Sequence, residues 1–222
     1  MSTPSLKTRC ALELLTLGIL TIIFLFVFPD RSVLVDASLA LFALVVLALN
    51  ARFTRSVIWA QFPPRGRKGQ RVWDCLATVT AMTLAVALVF FGIGLAIGYA
   101  QGGWSTAFHR ISNWHILLAI GFYFPWALLQ QTLFQFYLLG RLRTLLPASV
   151  AITCTGMSYA LVHLPDLWTT IASAAAGTFW TTLYNRYRLL TPLALSHAVL
   201  GSTFYYWIMG RDLAEAWQRL LG

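Results

Sequence analysis

The sequence predicts an all-α fold, a polytopic transmembrane helical bundle of about seven spans. Three observations carry this. Apolar side chains make up 59% of the 222 residues and charged ones only 10%. The apolar residues come in long unbroken blocks, and the basic residues collect at alternate ends of those blocks. A soluble domain carries roughly 25% charged residues. Here Asp and Glu together number 7, too few to solvate a globular surface.

The blocks run, in order, over residues 11–28, 33–49, 75–99, 114–139, 146–164, 167–184 and 192–209. Each approaches the ~20 residues that a helix rising 1.5 Å per residue needs to cross ~30 Å of hydrocarbon. The second and sixth are marginal in length and polarity. The first follows Lys7 and Arg9 in the manner of a secretory signal. Its apolar run is longer than a usual signal core, however, and no small-x-small cleavage site follows, so a retained anchor is expected. Residues 1–113 then form the N-terminal spans and a basic cytoplasmic loop, 114–209 a membrane core, and 210–222 a short amphipathic tail lying on the membrane.

The formal charge of +9 has a membrane explanation. With the N-terminus inside, Lys7, Arg9, Arg52, Arg55, Arg65, Arg67, Lys68, Arg71, Arg141, Arg143, Arg186 and Arg188 all fall on the cytoplasmic side. Only Arg31, Arg110, Arg211 and Arg219 fall outside, as the positive-inside rule requires. The expectation is therefore an integral, multi-pass protein with the lipid bilayer as its medium, in a bacterial inner (plasma) membrane, its N-terminus cytoplasmic. No basic helix or aromatic RNA-binding pattern accompanies the charge, so nucleic acid is not an expected partner. Cys10, Cys75 and Cys154 form no Cys-x-x-Cys pair and read as small buried hydrophobes. Gly94 with Gly98, and Ser173 with Gly177, have the four-residue spacing that lets membrane helices approach closely.

Polar side chains are expensive in a bilayer, so their positions carry information. The fourth block contains Gln130, Gln131 and Gln135 within Trp126-Ala-Leu-Leu-Gln-Gln-Thr-Leu-Phe-Gln-Phe136. On an α-helix Gln131 and Gln135 share a face, with Gln130 about 100° round. Three amides in one apolar helix need partners in the bundle interior. They serve either as interhelical hydrogen-bonding groups or as part of a site. Tyr159 and His163 lie four apart in the fifth block, and His197 lies in the seventh. An imidazole can act as general base, metal ligand or oxyanion donor. His109 and His115, in an outside loop and at a helix mouth, carry little weight.

The order and spacing of these residues resemble the CAAX-protease and bacteriocin-processing family of intramembrane endopeptidases, also called abortive-infection or type II CAAX prenyl endopeptidase proteins. That family reads Glu-Glu-x-x-x-Arg, then Phe-x-x-x-His, then His-x-x-x-Asn or Asp. The stretch Leu138-Leu139-Gly140-Arg141-Leu142 and the run from Gly177 through Tyr184-Asn185-Arg186 to Leu193 are similar to the text around its motifs. The resemblance covers about residues 114 to 209. It implies an intramembrane peptidase, a hydrolase acting by proteolysis on a peptide or protein presented at the membrane. It assigns catalytic positions to Gln130, Gln131, Gln135, Tyr159, His163 and His197. If a divalent metal such as zinc takes part, the resemblance gives it to His163 and His197.

Only the two histidines match outright. Gln130 and Gln131 stand where the glutamates would be, Gln135 where the arginine would be, Tyr159 for phenylalanine and Gly201 for Asn or Asp. A glutamate can take a proton from water; a carboxamide is far too weak a base. Losing a Glu–Arg pair together leaves no uncompensated buried charge, whereas losing one member would be costly. The pattern is that of a fold relieved of catalysis or given another chemistry. Of the remaining acids only Asp166 is near the motifs, and it reads as a helix cap at a Pro-containing turn. Two expectations follow: an endopeptidase-like protein, or a non-catalytic binding, immunity or maturation partner with the same fold. A small transporter subunit, with the polar patch lining a path, is a third.

Overall fold

Why these blocks become helices is plain from the sequence; where each helix stops depends on caps, glycines and prolines. The computed structural model describes residues 5–27 and 68–212, with scattered residues between 35 and 49. The described residues are all-helical, without a strand. The helices are α1 (Leu6–Val27), α2 (Lys68–Ile111), α3 (His115–Gln131), α4 (Leu139–Leu145), α5 (Ala148–Leu161), α6 (Leu167–Tyr187) and α7 (Thr191–Thr203). Two π-helical segments, Thr132–Leu138 and Phe204–Ile208, follow α3 and α7. The second apolar block lies largely outside the described residues, and the expected amphipathic tail lies outside them beyond Asp212. The stretches Arg71–Ile111 and His115–Leu145 are long and apolar enough to cross a membrane.

Contacts divide the chain into two compact units, residues 1–66 with 129–190 and residues 67–128 with 191–222. In the first, α1 starts at Ser5, whose hydroxyl accepts the Thr8 N–H at 3.2 Å. This is the cap that an orphan first-turn donor needs. α6 begins the same way: Asp166 Oδ1 accepts the Thr169 N–H at 3.2 Å, and the Asp166 carbonyl accepts the Thr170 hydroxyl at 2.8 Å. The capping role read for Asp166 is borne out.

α5 and α6 pack closely because two glycines let them. A Cβ on Gly177 would stand 2.8 Å from Tyr159 Cβ. One on Gly156 would stand 2.9 Å from the backbone N and Cα of Thr178. The small-residue reading holds at Gly177, and Gly156 is its counterpart across the contact.

In the second unit α7 runs along α2. The Thr83 hydroxyl donates to Ser196 Oγ at 2.7 Å. Gly94 meets Trp207 so closely that a Cβ would lie 2.8 Å from Trp207 Cβ and 3.0 Å from its carbonyl oxygen. Leucine at Gly94 is therefore expected to destabilise this unit by about 1–3 kcal/mol or more, read as a lower unfolding temperature of the detergent-solubilised protein. Arg110 closes the end of the unit, its Nε donating to the Trp207 carbonyl at 2.7 Å and Nη2 to that of Ile208 at 2.8 Å. Beside it, Asp212 accepts from Asn113 Nδ2 at 3.1 Å, pairs with His115 Nδ1 at 2.8 Å and takes the Tyr206 hydroxyl.

Three departures from the sequence reading have physical causes. The third block continues to Ile111, but the helix breaks where Gly102 is extended and Gly103 adopts φ 75°, a conformation open to glycine. The chain then folds back so that Ala107 meets Gly98, and residues expected in a loop are helical. The fourth block changes register at Gln131 into a π-helix, which widens the turn and alters the spacing argument for Gln131 and Gln135. The fifth block yields a helix of only 14 residues. These rise about 21 Å at 1.5 Å each, short of ~30 Å of hydrocarbon.

Candidate functional site

In the first unit the polar cluster forms where α3 passes into the π-helical segment. Gln131 is the last α-helical residue and Gln135 lies in the middle of the π turn. Both are fully enclosed, at 0% exposure. Neither the amide nitrogen nor the amide oxygen of either has a hydrogen-bond partner among the described residues. This is unusual, because a buried polar atom left without a partner costs about 1–3 kcal/mol. Gln130, also buried, accepts the Tyr159 hydroxyl at 3.2 Å through Oε1.

Tyr159 is the hub of this cluster. Its ring centroid stands 4.6 Å from that of Phe134, 5.7 Å from that of Trp180 and 6.1 Å from that of His163. Gly177 leaves the space for it. His163 does not continue the α5 face as the four-residue spacing implied. The helix ends at Leu161, and His163 sits in the turn that follows, its N–H donating to the Ala160 carbonyl at 2.9 Å. The turn keeps the imidazole beside Tyr159, so Gln130, Tyr159 and His163 are brought together by a different route.

In the second unit His197 is buried on α7, with Nε2 hydrogen-bonded to the Tyr123 hydroxyl at 3.2 Å. The two rings meet edge to face, 5.3 Å apart at 80°. Gly201, one turn on, lies under the same tyrosine: a Cβ there would be 2.8 Å from Tyr123 Cε1. The side chain that the Asn or Asp of the motif would place here is thus excluded by Tyr123, which itself supplies a hydroxyl to the histidine. Phenylalanine at Tyr123 keeps the ring over Gly201 and deletes that hydroxyl. It is expected to lower the stability of this unit by about 1 kcal/mol and to speed carbethoxylation of His197, followed by mass spectrometry.

Residues 112–203 match the family model of the type II CAAX prenyl endopeptidase Rce1-like proteins. The match spans every motif position from Gln130 to Gly201, and the family resemblance read from the sequence is borne out there. No curated protein matches the chain, and neither does any solved structure.

Within this CAAX-endopeptidase-like segment the first-unit cluster does not by itself make up the ligand set of a catalytic zinc. A hydrolytic zinc takes three protein ligands from His, Cys, Asp or Glu. No three such side chains come together among the described residues. The first-unit cluster offers carboxamides, one phenol and one imidazole, and neither carboxylate nor thiolate. Tyr123 and Trp180 were not singled out in the sequence. Their signals are a tyrosine and a tryptophan within otherwise apolar helices, which hydropathy alone passes over.

Proposed function

We propose that this chain is an integral, multi-pass membrane protein whose CAAX-endopeptidase-like segment engages a peptide or protein presented in the bilayer, and holds it rather than cleaving it. Its N-terminus lies on the cytoplasmic side. The observation that carries this is the pair of enclosed carboxamides of Gln131 and Gln135, without a hydrogen-bond partner among the described residues, at positions where the resemblance puts a glutamate and an arginine. A carboxamide presents one acceptor and two donors, the same chemistry as a peptide group, and is no base. Enclosed as it is, such a group meets a peptide backbone only when the π turn opens to admit it, and it cannot draw a proton from water.

The bilayer setting is supported by what α2 and α3 leave uncovered. Leu84, Leu88, Val89, Leu117 and Phe122 are exposed, an apolar surface that a soluble protein seldom shows. Exposed Trp73 and Tyr99 lie on α2 before its break, 26 residues and about 39 Å apart. That matches aromatic belts at the two faces of a membrane ~40–45 Å thick with its headgroups. Tyr99 continues into a stacked row with Trp104 and Phe108, at centroid distances of 5.0 and 6.0 Å.

A second reading, cleavage with an imidazole as base, is favoured by one observation. Both motif histidines are kept, and His197 touches a phenol able to carry a proton. Cross-linking tests the first reading. Membrane-spanning peptides carrying a photoreactive residue are reconstituted with the full chain in vesicles. Wild type is expected to capture them intact, and His163→Ala and the double variant Gln131→Leu/Gln135→Leu to capture less. Capture unchanged in both variants would contradict the assignment.

A further inference from the structure

The matched segment begins at residue 112, yet a residue of α1 reaches into the stretch that carries its first motif. Glu13 Oε2 accepts two hydrogen bonds at once, from Arg141 Nε at 2.6 Å and from the Tyr137 hydroxyl at 3.1 Å. The Arg141 guanidinium also lies over the Tyr137 ring, 4.6 Å from its centroid. Tyr137 belongs to the π-helical segment and Arg141 to α4, so one carboxylate oxygen bridges the junction between the two at Leu138 and Leu139. Both donors are buried, Arg141 at 2% exposure, while Glu13 stands at the rim.

We infer that Glu13 is a positioning residue: it clamps the π-to-α junction and so fixes the turn that holds Gln135 enclosed. π-helical turns are rare and short and recur at functional sites, so a tertiary contact made across the return to the α register bears directly on the turn. Glu13 makes that contact from another helix, with a charge-assisted bond to the buried Arg141 guanidinium. The assignment also makes α1 part of the working protein. An apolar first helix behind Lys7 and Arg9 has the look of a removable signal, but removing it would take from Arg141 the carboxylate that answers its charge. The functional part of this inference rests on the peptide-holding reading above; the clamp itself does not.

The test is hydrogen–deuterium exchange on the full chain in lipid nanodiscs, read by mass spectrometry, with the same preparations assayed for peptide capture. Glu13→Ala is expected to speed exchange across residues 132–141 about tenfold or more, the loss of a hydrogen bond to a charged group, with residues 148–187 unchanged. Peptide capture should fall by a similar factor. Glu13→Gln keeps an acceptor oxygen without the charge and should restore part of both. The intact mass of membrane-extracted protein should include α1. Unchanged exchange at 132–141, a rise spread evenly over the chain, or a mature protein lacking α1 would each overturn the clamp. Faster exchange with capture unaltered would overturn the positioning role. If the wild type captures no peptide at all, the peptide-holding reading falls and the positioning role with it. The clamp is then upheld or overturned by the exchange result alone.

Discussion

Leucine at Gly156 is expected to unfold the first unit. A Cβ there would already stand 2.9 Å from the backbone N and Cα of Thr178 and still closer to its hydroxyl oxygen. The backbone of a helix cannot give way as a flexible side-chain tip can. The remaining atoms of a leucine would push α5 and α6 apart along their whole contact. Overpacking of a well-filled interior costs typically about 1–3 kcal/mol, and more where backbone is struck. The loss is greater here because the contact also seats Tyr159 against Gly177. The expected readouts are aggregation on detergent extraction and protease cleavage between residues 129 and 190. Alanine at the same site should give a smaller change in the same direction, and an unaltered Gly156→Leu protein would show that α5 and α6 do not pack as described.

Leucine and glutamate at Gln131 should have opposite effects on stability. The side chain is fully enclosed and both its polar atoms lack partners among the described residues. Leucine removes that unsatisfied pair at similar volume and is expected to leave stability unchanged or raise it by about 1 kcal/mol. Glutamate puts a carboxylate where no described side chain donates to it, and should destabilise by several kcal/mol. Adding Gln135→Arg to Gln131→Glu should recover part of that loss, because the two changes restore opposite charges together. Thermal unfolding in detergent across this set checks the pattern. A residue that costs stability and is nonetheless present is expected where function requires it. The gain from leucine should therefore come with loss of peptide capture.

Much of the helical architecture was legible in the sequence because long apolar runs without strand alternation read as helices. The helices in the described apolar blocks, the Asp166 cap and the close approach at Gly177 follow from local text. The family resemblance rests on the order and spacing of the motif residues, and the match over residues 112–203 agrees with it. What was not legible depends on distant partners or on backbone register. The π turn through Gln135 cannot be read from a pattern that fits an α-helix equally well. The end of α5 before His163 is hidden because Leu161-Val-His-Leu164 is still apolar, although Pro165 disfavours helix in the residue before it. The pairing of Glu13 with Arg141 spans 128 residues, and in the sequence Arg141 reads only as a cytoplasmic charge. Tyr123 filling the space over Gly201 appears only when two helices are set side by side.

The chemistry follows from the site rather than the fold, and the site lacks a base stronger than imidazole among its described residues. One measurement tests this most directly. Membrane-spanning peptides are incubated with the purified full chain in vesicles, and the products are weighed by mass spectrometry for wild type, Gln130→Glu and the triple variant Gln130→Glu/Gln131→Glu/Gln135→Arg. The expected result is intact peptide with wild type and cleavage, if any, only after the carboxylates are restored. Cleavage by the wild type that is lost in both His163→Ala and His197→Ala would contradict a holding role and establish hydrolysis driven by the histidines.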